Sequence, residues 1–243
     1  MFVICKELGI ELVNLSRLPS RTVESKITGK KVRVQLPEML LDNKIDCFIS
    51  VPVLKVHVMT GVTLSMKNLW GCYPDPMRGL YHKDLDRKLT LITKTVNPRI
   101  VVMDALYALN RHGPMFGEPV KMDLIMAFDN PVVADALGAS IMGIPLRRAR
   151  HVLVAEKEGL GTTKMDKVET NRDFQPFRRQ FTIEKTIVDR VSSIFFYRPY
   201  LAKLIFSSPC TPLIYKIAHR LRTREEKDLA RQTYGEGKIG PYC

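Results

Sequence analysis

The chain has 243 residues, 45% hydrophobic and 26% charged, which is ordinary globular composition with room for one large folded unit or one unit with an appendage. Its 38 Lys and Arg against 25 Asp and Glu leave a net charge of +13, which points to an anionic counterpart: a phosphate-bearing ligand, an acidic protein, an anionic membrane or nucleic acid. Aromatics are only 8% and do not interleave with basic residues, so nucleic acid is not the expected partner. The five cysteines, Cys5, Cys47, Cys72, Cys210 and Cys243, are odd in number and form no C-x-x-C pair. That excludes a disulfide framework, a four-cysteine zinc site and an iron–sulfur cluster motif, and fits a reduced, cytoplasmic chain. Met1 leads straight into FVICKELGIELVNL without a signal peptide, and no apolar run reaches the roughly 18–20 residues of a membrane span.

Along the chain, a short helix ending at Gly9 is followed by an expected strand, Ile10 to Leu15. KKVRVQLP alternates as a strand, PEMLLDNK reads as a short helix, and IDCFISVP as a buried strand. A polar, Gly/Pro-punctuated segment comes next, and then a helix with Leu85, Leu89, Ile92 and Val96 on one face, ended by Pro98. RIVVMDAL is a second buried strand, placing Asp104 at its C-terminal end, and VKMDLIMAFDN is a third, with Asp129 just past it. Pro131 opens a helix closed by Gly143, where Asp135 calls for a specific partner, and a further helix runs from about Leu146 to Lys157. The rhythm predicts an α/β fold, a mostly parallel sheet flanked by helices in a three-layer, Rossmann-like arrangement.

Composition changes near residue 170, so the expected division is an α/β domain over 1–170 and a helical basic extension over 171–243. Residues 190–243 hold ten Lys/Arg and four Asp/Glu, and Pro199, Pro209 and Pro212 forbid one long helix. Either this extension packs on the sheet with its basic face in water, or residues 190–224 make a peripheral membrane contact.

The candidate site is the segment Val51–His82, which follows an apolar strand, where α/β proteins place ligand chemistry. Lys55 and His57 are spaced i, i+2 and share one side of an extended backbone. Lys67 and Asn68 follow a Thr/Ser-rich stretch, and His82 follows a Pro-rich loop. The lysines can hold anionic groups or form an imine with a carbonyl, the histidines can exchange protons or bind a metal, and Asn68 can orient a substrate. In this reading His57, Lys67, His82 and Asp104 are catalytic, with Asp104 orienting a base and His82 available as a metal ligand. Lys55, Thr60, Asn68 and the loop glycines Gly113 and Gly117 bind a small anionic substrate; HGPMFGEP could also be simply a rigid turn.

VPVLKVHVMTGVTLSMKNLWG, PRIVVMDAL, GPMFGEP, FDNPVVADALGASIMGIP and EGLG follow one another in order. Over roughly residues 40–165 the chain thereby resembles the domain-of-unknown-function family numbered 362. The resemblance implies a redox setting and a ferredoxin-type iron–sulfur partner, although the chain has no cluster motif of its own. It also implies that family sequence usually precedes the region matching Met1. A second resemblance is to the nickel-pincer lactate racemases: His57, Gly61, Lys67 and His82 fall near that family's spacing, with Ser65-Met66 in place of its glycine pair. That similarity implies proton transfer at His57, a cofactor tether at Lys67 and a metal ligand at His82. The resulting expectation is a redox-associated or proton-transfer enzyme, an oxidoreductase or isomerase of unknown cofactor; the alternative is a non-catalytic basic accessory subunit.

Overall fold

The computed structural model describes residues 2–187 except 43, 115 and 116, together with seven isolated positions up to 213. Most of the expected basic extension lies outside the described residues.

A short helix, α1 (Phe2–Glu7), leads into irregular chain and a 3-10 turn at Leu15–Arg17. The strand expected over Ile10 to Leu15 does not form: Ile10, Leu12 and Val13 are exposed and have no sheet to join. β1 (Ser20–Ile27) and β2 (Lys30–Pro37) make an antiparallel hairpin. Its two-residue loop, Thr28-Gly29, holds both residues at positive φ, the conformation that lets strands turn without splaying. Val32, Val34 and Leu36 alternate inward and pack with α3 (Leu85–Val96) in one hydrophobic cluster. α3 is an amphipathic helix whose last turn ends on Asn97 in the left-handed region, with Pro98 beyond.

The main sheet is mixed. β3 (Ile49–Ser50) and β4 (Val53–His57) lie parallel to β6 (Ile100–Asn110), the parallel pairing expected from sequence. Both outer pairs are antiparallel: β5 (Gly61–Thr63) returns along β4, and β7 (Glu118–Phe128) returns along β6. Between β3 and β4 comes Val51-Pro52; Pro52 has no N–H to donate, and its carbonyl instead accepts from Asp104 N at 2.8 Å. The expected continuous buried strand over IDCFISVP is therefore a two-residue pairing, with Ile49 half-exposed and Val51 61% exposed.

One face of this sheet carries Leu54, Val56, Val101, Met103 and Ala105 into a core with α4 (Pro131–Ile141) and α5 (Arg150–Lys157). α4 starts on Asn130, whose side chain accepts from Val132 N and Val133 N, with Pro131 in the first turn. It is buried almost all round, and a Cβ on Gly138 would stand 2.9 Å from Leu64 Cδ1. The opposite face presents Val53, Ile100, Leu106, Tyr107 and Ile125 to solvent, Ile125 at 62%. The described residues thus form a mixed α/β unit with helices packed on one sheet face. The boundary expected at residue 170 falls inside this packing: Phe174, Phe181 and Ile183 all join the same core. Over 171–186 the chain holds a 3-10 turn at Gln175–Phe177 and a bridge from Ile183 to Arg111, and most of the expected helical extension lies outside the described residues.

Candidate functional site

Lys55 and His57 sit at the C-terminal end of β4 and alternate with Leu54 and Val56, which point into the core. The chain then reverses through Gly61, whose φ of +80° a side chain would strain and whose Cβ would press 2.5 Å from the Arg148 carbonyl oxygen. This turn fixes the His57 ring. Met59 N and Thr60 N donate to His57 Nδ1 at 3.1 and 3.4 Å, so the neutral ring carries its proton on Nε2. Thr60, expected to bind substrate, spends its hydroxyl on the Val62 carbonyl at 3.0 Å and serves the turn.

β5 runs directly into α2 (Ser65–Asn68), a single helical turn that carries Lys67. Its free N–H groups are taken from below by Asp135 of α4. Ser65 N donates to Asp135 Oδ1 at 2.6 Å and Met66 N to Oδ2 at 3.1 Å, and the carboxylate is fully buried. This is the specific partner that a carboxylate inside α4 called for. His151 of α5, also fully buried, brings Nε2 to 3.7 Å from Asp135 Oδ2. Burial raises the Asp135 pKa, and His151 with the two N–H donors counters that rise. Sequence reasoning missed His151, a lone histidine on a helix almost 100 positions from His57.

His82 lies nearly buried at the far end of the segment. Its Nδ1 is 2.8 Å from the Gly79 carbonyl, to which it donates, and the neutral ring therefore has its lone pair on Nε2. Its ring is tilted 5.7 Å from that of Trp70, which stacks on Tyr73 at 4.9 Å. Trp70 Nε1 and Ser65 Oγ are buried without a hydrogen-bond partner among the described residues.

The electrostatics show these groups acting on one another. Burial holds the His57 pKa well below its ordinary 6.5, and the charges of Lys67, His82, His151 and Lys55 press it further down. Burial, then Lys67, brings His82 to about 4. Burial, then Arg78 and Lys55, brings Lys67 to about 8. Lys55 is lowered by burial alone. Among the described residues no carboxylate is named as acting on Lys67, although Asp135 lies just beneath its helix. Positive charge gathered at a partly buried site is what an anion would neutralise.

The other expected site residues are placed elsewhere. Asp104 is the fifth residue of the eleven in β6 rather than its end, and its carboxylate accepts from Leu106 N at 2.9 Å within a β-bulge. It is not among the groups acting on either pocket histidine; the carboxylate beside a histidine is Asp135. Asn68 is exposed and donates to Ser50 Oγ at 3.4 Å, tying α2 to β3. Gly113 and Gly117 allow close backbone approach: a Cβ would stand 2.0 Å from the Val56 oxygen and 2.1 Å from the Asn110 oxygen, respectively. Gly113 also accepts from Val58 N at 3.1 Å, so this end of the loop packs against the end of β4; residues 115 and 116 of the loop lie outside the described residues. Among the described residues no three His, Cys, Asp or Glu side chains gather to hold a metal ion. Two clefts, of about 750 and 870 Å³, lie between the hairpin and the end of α3 and along β7, and neither includes the Lys/His group.

Against known proteins, the family model described as a domain of unknown function (DUF362) matches residues 1–140. A thylakoid-associated protein of Synechocystis sp. (strain ATCC 27184 / PCC 6803 / Kazusa) is 29% identical over 125 residues, 49% of this chain and 39% of that protein. The chain therefore spans well under half the length of this relative. No solved structure matches. No described helix is long and apolar enough to cross a membrane.

Proposed function

From the premise that the chain belongs to the domain-of-unknown-function 362 family, whose match covers more than half of it, we propose that it is a proton-transfer or redox-associated enzyme acting on a small anionic substrate at the Lys67 pocket. The observation that supports this reading is the mutual electrostatic influence of Lys55, His57, Lys67 and His82, with no carboxylate among the described residues acting on Lys67. Lys67 and Lys55 bind the anionic group. His57, neutral and carrying its proton on Nε2, donates a hydrogen bond to an oxygen that gains charge, which is an electrophilic role. Proton transfer, expected at His57 from the sequence, passes to His82, whose Nε2 lone pair accepts a proton.

Isotope exchange tests this whatever the product is. Small 2-hydroxy, 2-oxo and dicarboxylic acids are incubated with the protein in deuterated water, and exchange at the carbon next to the carboxylate is followed by NMR. Exchange that falls by about 10²–10⁴ in His82→Gln supports the reading. No exchange in any acid, together with no anion binding, sinks it.

The net charge of +13 and the relative's thylakoid association favour a second reading: a basic accessory subunit on an anionic membrane surface or a ferredoxin-type partner. The three-layer, Rossmann-like arrangement and a helical basic extension making contact through 190–224 belong to that proposal. Co-sedimentation with anionic vesicles that vanishes as salt rises supports it; sedimentation indifferent to salt, or none, removes it.

A further inference from the structure

The two halves of β7 are guarded differently. The first, residues 118–123, carries Pro119, the ion-paired Lys121 and Asp123, and a bulge at which Asp123 takes a φ of +49°. Proline, charge and a bulge are what keep a strand edge from pairing with another chain. The second half, residues 124–128, has none of these: it is wholly apolar and pairs in regular register with residues 101–105 of β6. Among the described residues its other edge meets no strand, and its backbone makes no hydrogen bond beyond the β6 pairing. The cleft of about 870 Å³ runs along this same half, lined by Leu124, Met126 and Phe128, by Val133 and Leu137 of α4, and by Phe174.

The chain also carries strand-like sequence without a sheet. In IELVNL, Ile10, Leu12 and Val13 are 54%, 43% and 41% exposed, and none of residues 2–18 lines that cleft. Leu15 anchors this arm on the hairpin cluster, and Arg21 lines the same cleft as Asp129, the residue just past β7. The arm therefore emerges beside the end of the open edge.

We infer that the open half of β7 receives residues 10–14 of a second copy of this chain as an added strand, each copy giving its arm to the other about a two-fold axis. Backbone N–H and C=O groups of residues 124–128 that point away from β6 pair with those of the arm. Strand alternation puts Ile10 and Leu12 on one face, in the cleft beside Met126 and Phe128, and leaves Glu11 on the other, in water. Exchange of two such arms buries on the order of 1,000–1,500 Å², enough to reach the roughly 1,000 Å² of a specific interface. The bared edge, residues 124–128, has no charge, so it offers nothing to an anionic surface and does not repel a second basic chain. An added strand lies in the plane of the sheet, so the solvent-facing side of the sheet stays open.

Sedimentation velocity of the full chain over a wide range of concentration, paired with hydrogen exchange read by peptide mass spectrometry, tests this. The expected result is a monomer–dimer equilibrium in which the amides of residues 11–14 and 124–128 slow together as dimer forms. Leu12→Asp charges an exposed side chain, leaves the circular dichroism unchanged and weakens the dimer by about tenfold or more. Ile125→Lys gives the open half the kind of charge that guards the other half and weakens it likewise. A monomer at every concentration overturns the exchange, whether its 124–128 amides are unprotected or are covered by its own arm. A dimer indifferent to Leu12→Asp overturns it as well, by placing the contact elsewhere.

Discussion

Two charges removed from bulk water stand on either side of the single turn α2, and they are solved in opposite ways. Below it, Asp135 is fully buried and answered from within the fold, by two backbone N–H groups and by His151. Above it, Lys67, only partly exposed, is acted on among the described residues by Arg78 and Lys55 and by no group of opposite sign. A buried carboxylate that takes two backbone N–H groups is part of the scaffold. A charge left among its own kind costs stability, and that cost is relieved when something from outside supplies the missing sign. The contrast sets a carboxylate that holds the α2 backbone against a lysine on the same turn that the proposed function uses.

The largest effect is expected from the lower partner. Asp135→Ala leaves Ser65 N and Met66 N without acceptors and should cost about 3–5 kcal/mol, read from the urea midpoint. A loss below about 1 kcal/mol would dissolve the distinction between the two charges. Next comes acid. His82 has a folded pKa of about 4 against an ordinary 6.5, so the folded state takes its proton later than the unfolded one. Stability therefore falls as pH drops from about 6.5 to about 4, by on the order of 3 kcal/mol, and His82→Gln should flatten that fall.

The upper partner moves the other way. Below about pH 8 Lys67 is charged in both states and its burial is unfavourable; between about 8 and 10.5 the unfolded chain binds more protons, so stability rises with pH. Lys67→Met should gain about 1–2 kcal/mol at pH 7, after discounting for residual solvent contact, and abolish oxalate binding. In the wild type, oxalate should raise the calorimetric Tm most below pH 8 and progressively less above it. The smallest effect belongs to Ser50→Ala, which removes only the acceptor of an exposed Asn68 and should cost under about 1 kcal/mol.

How much of the fold and site is legible in the sequence depends on locality. The group Lys55, His57, Lys67 and His82 can be read because one short segment supplies all four, and a strand followed by a tight turn has little freedom to disperse them. The helix opened by Asn130-Pro131 is legible for the same reason, since a cap and a proline act on their own neighbours. His151 is not, because only tertiary packing of α5 beside α4 brings it to Asp135. Asp104 misleads because an apolar run gives no sign of where its strand stops; the strand continues to Asn110. The same run, IVVMDALYAL, suggests burial on both sides, yet Ile100, Leu106 and Tyr107 face water, because continuous apolarity does not tell a covered face from an uncovered one.

That uncovered face has a practical consequence. Environment-sensitive dyes report unfolding because native proteins ordinarily offer them little greasy surface. Here Val51, Val53, Leu106, Tyr107 and Ile125 present such a surface in the folded state. A dye-based melt of this protein should start bright and show a shallow transition, so its ligands are better ranked by calorimetry or by the native indole at Trp70.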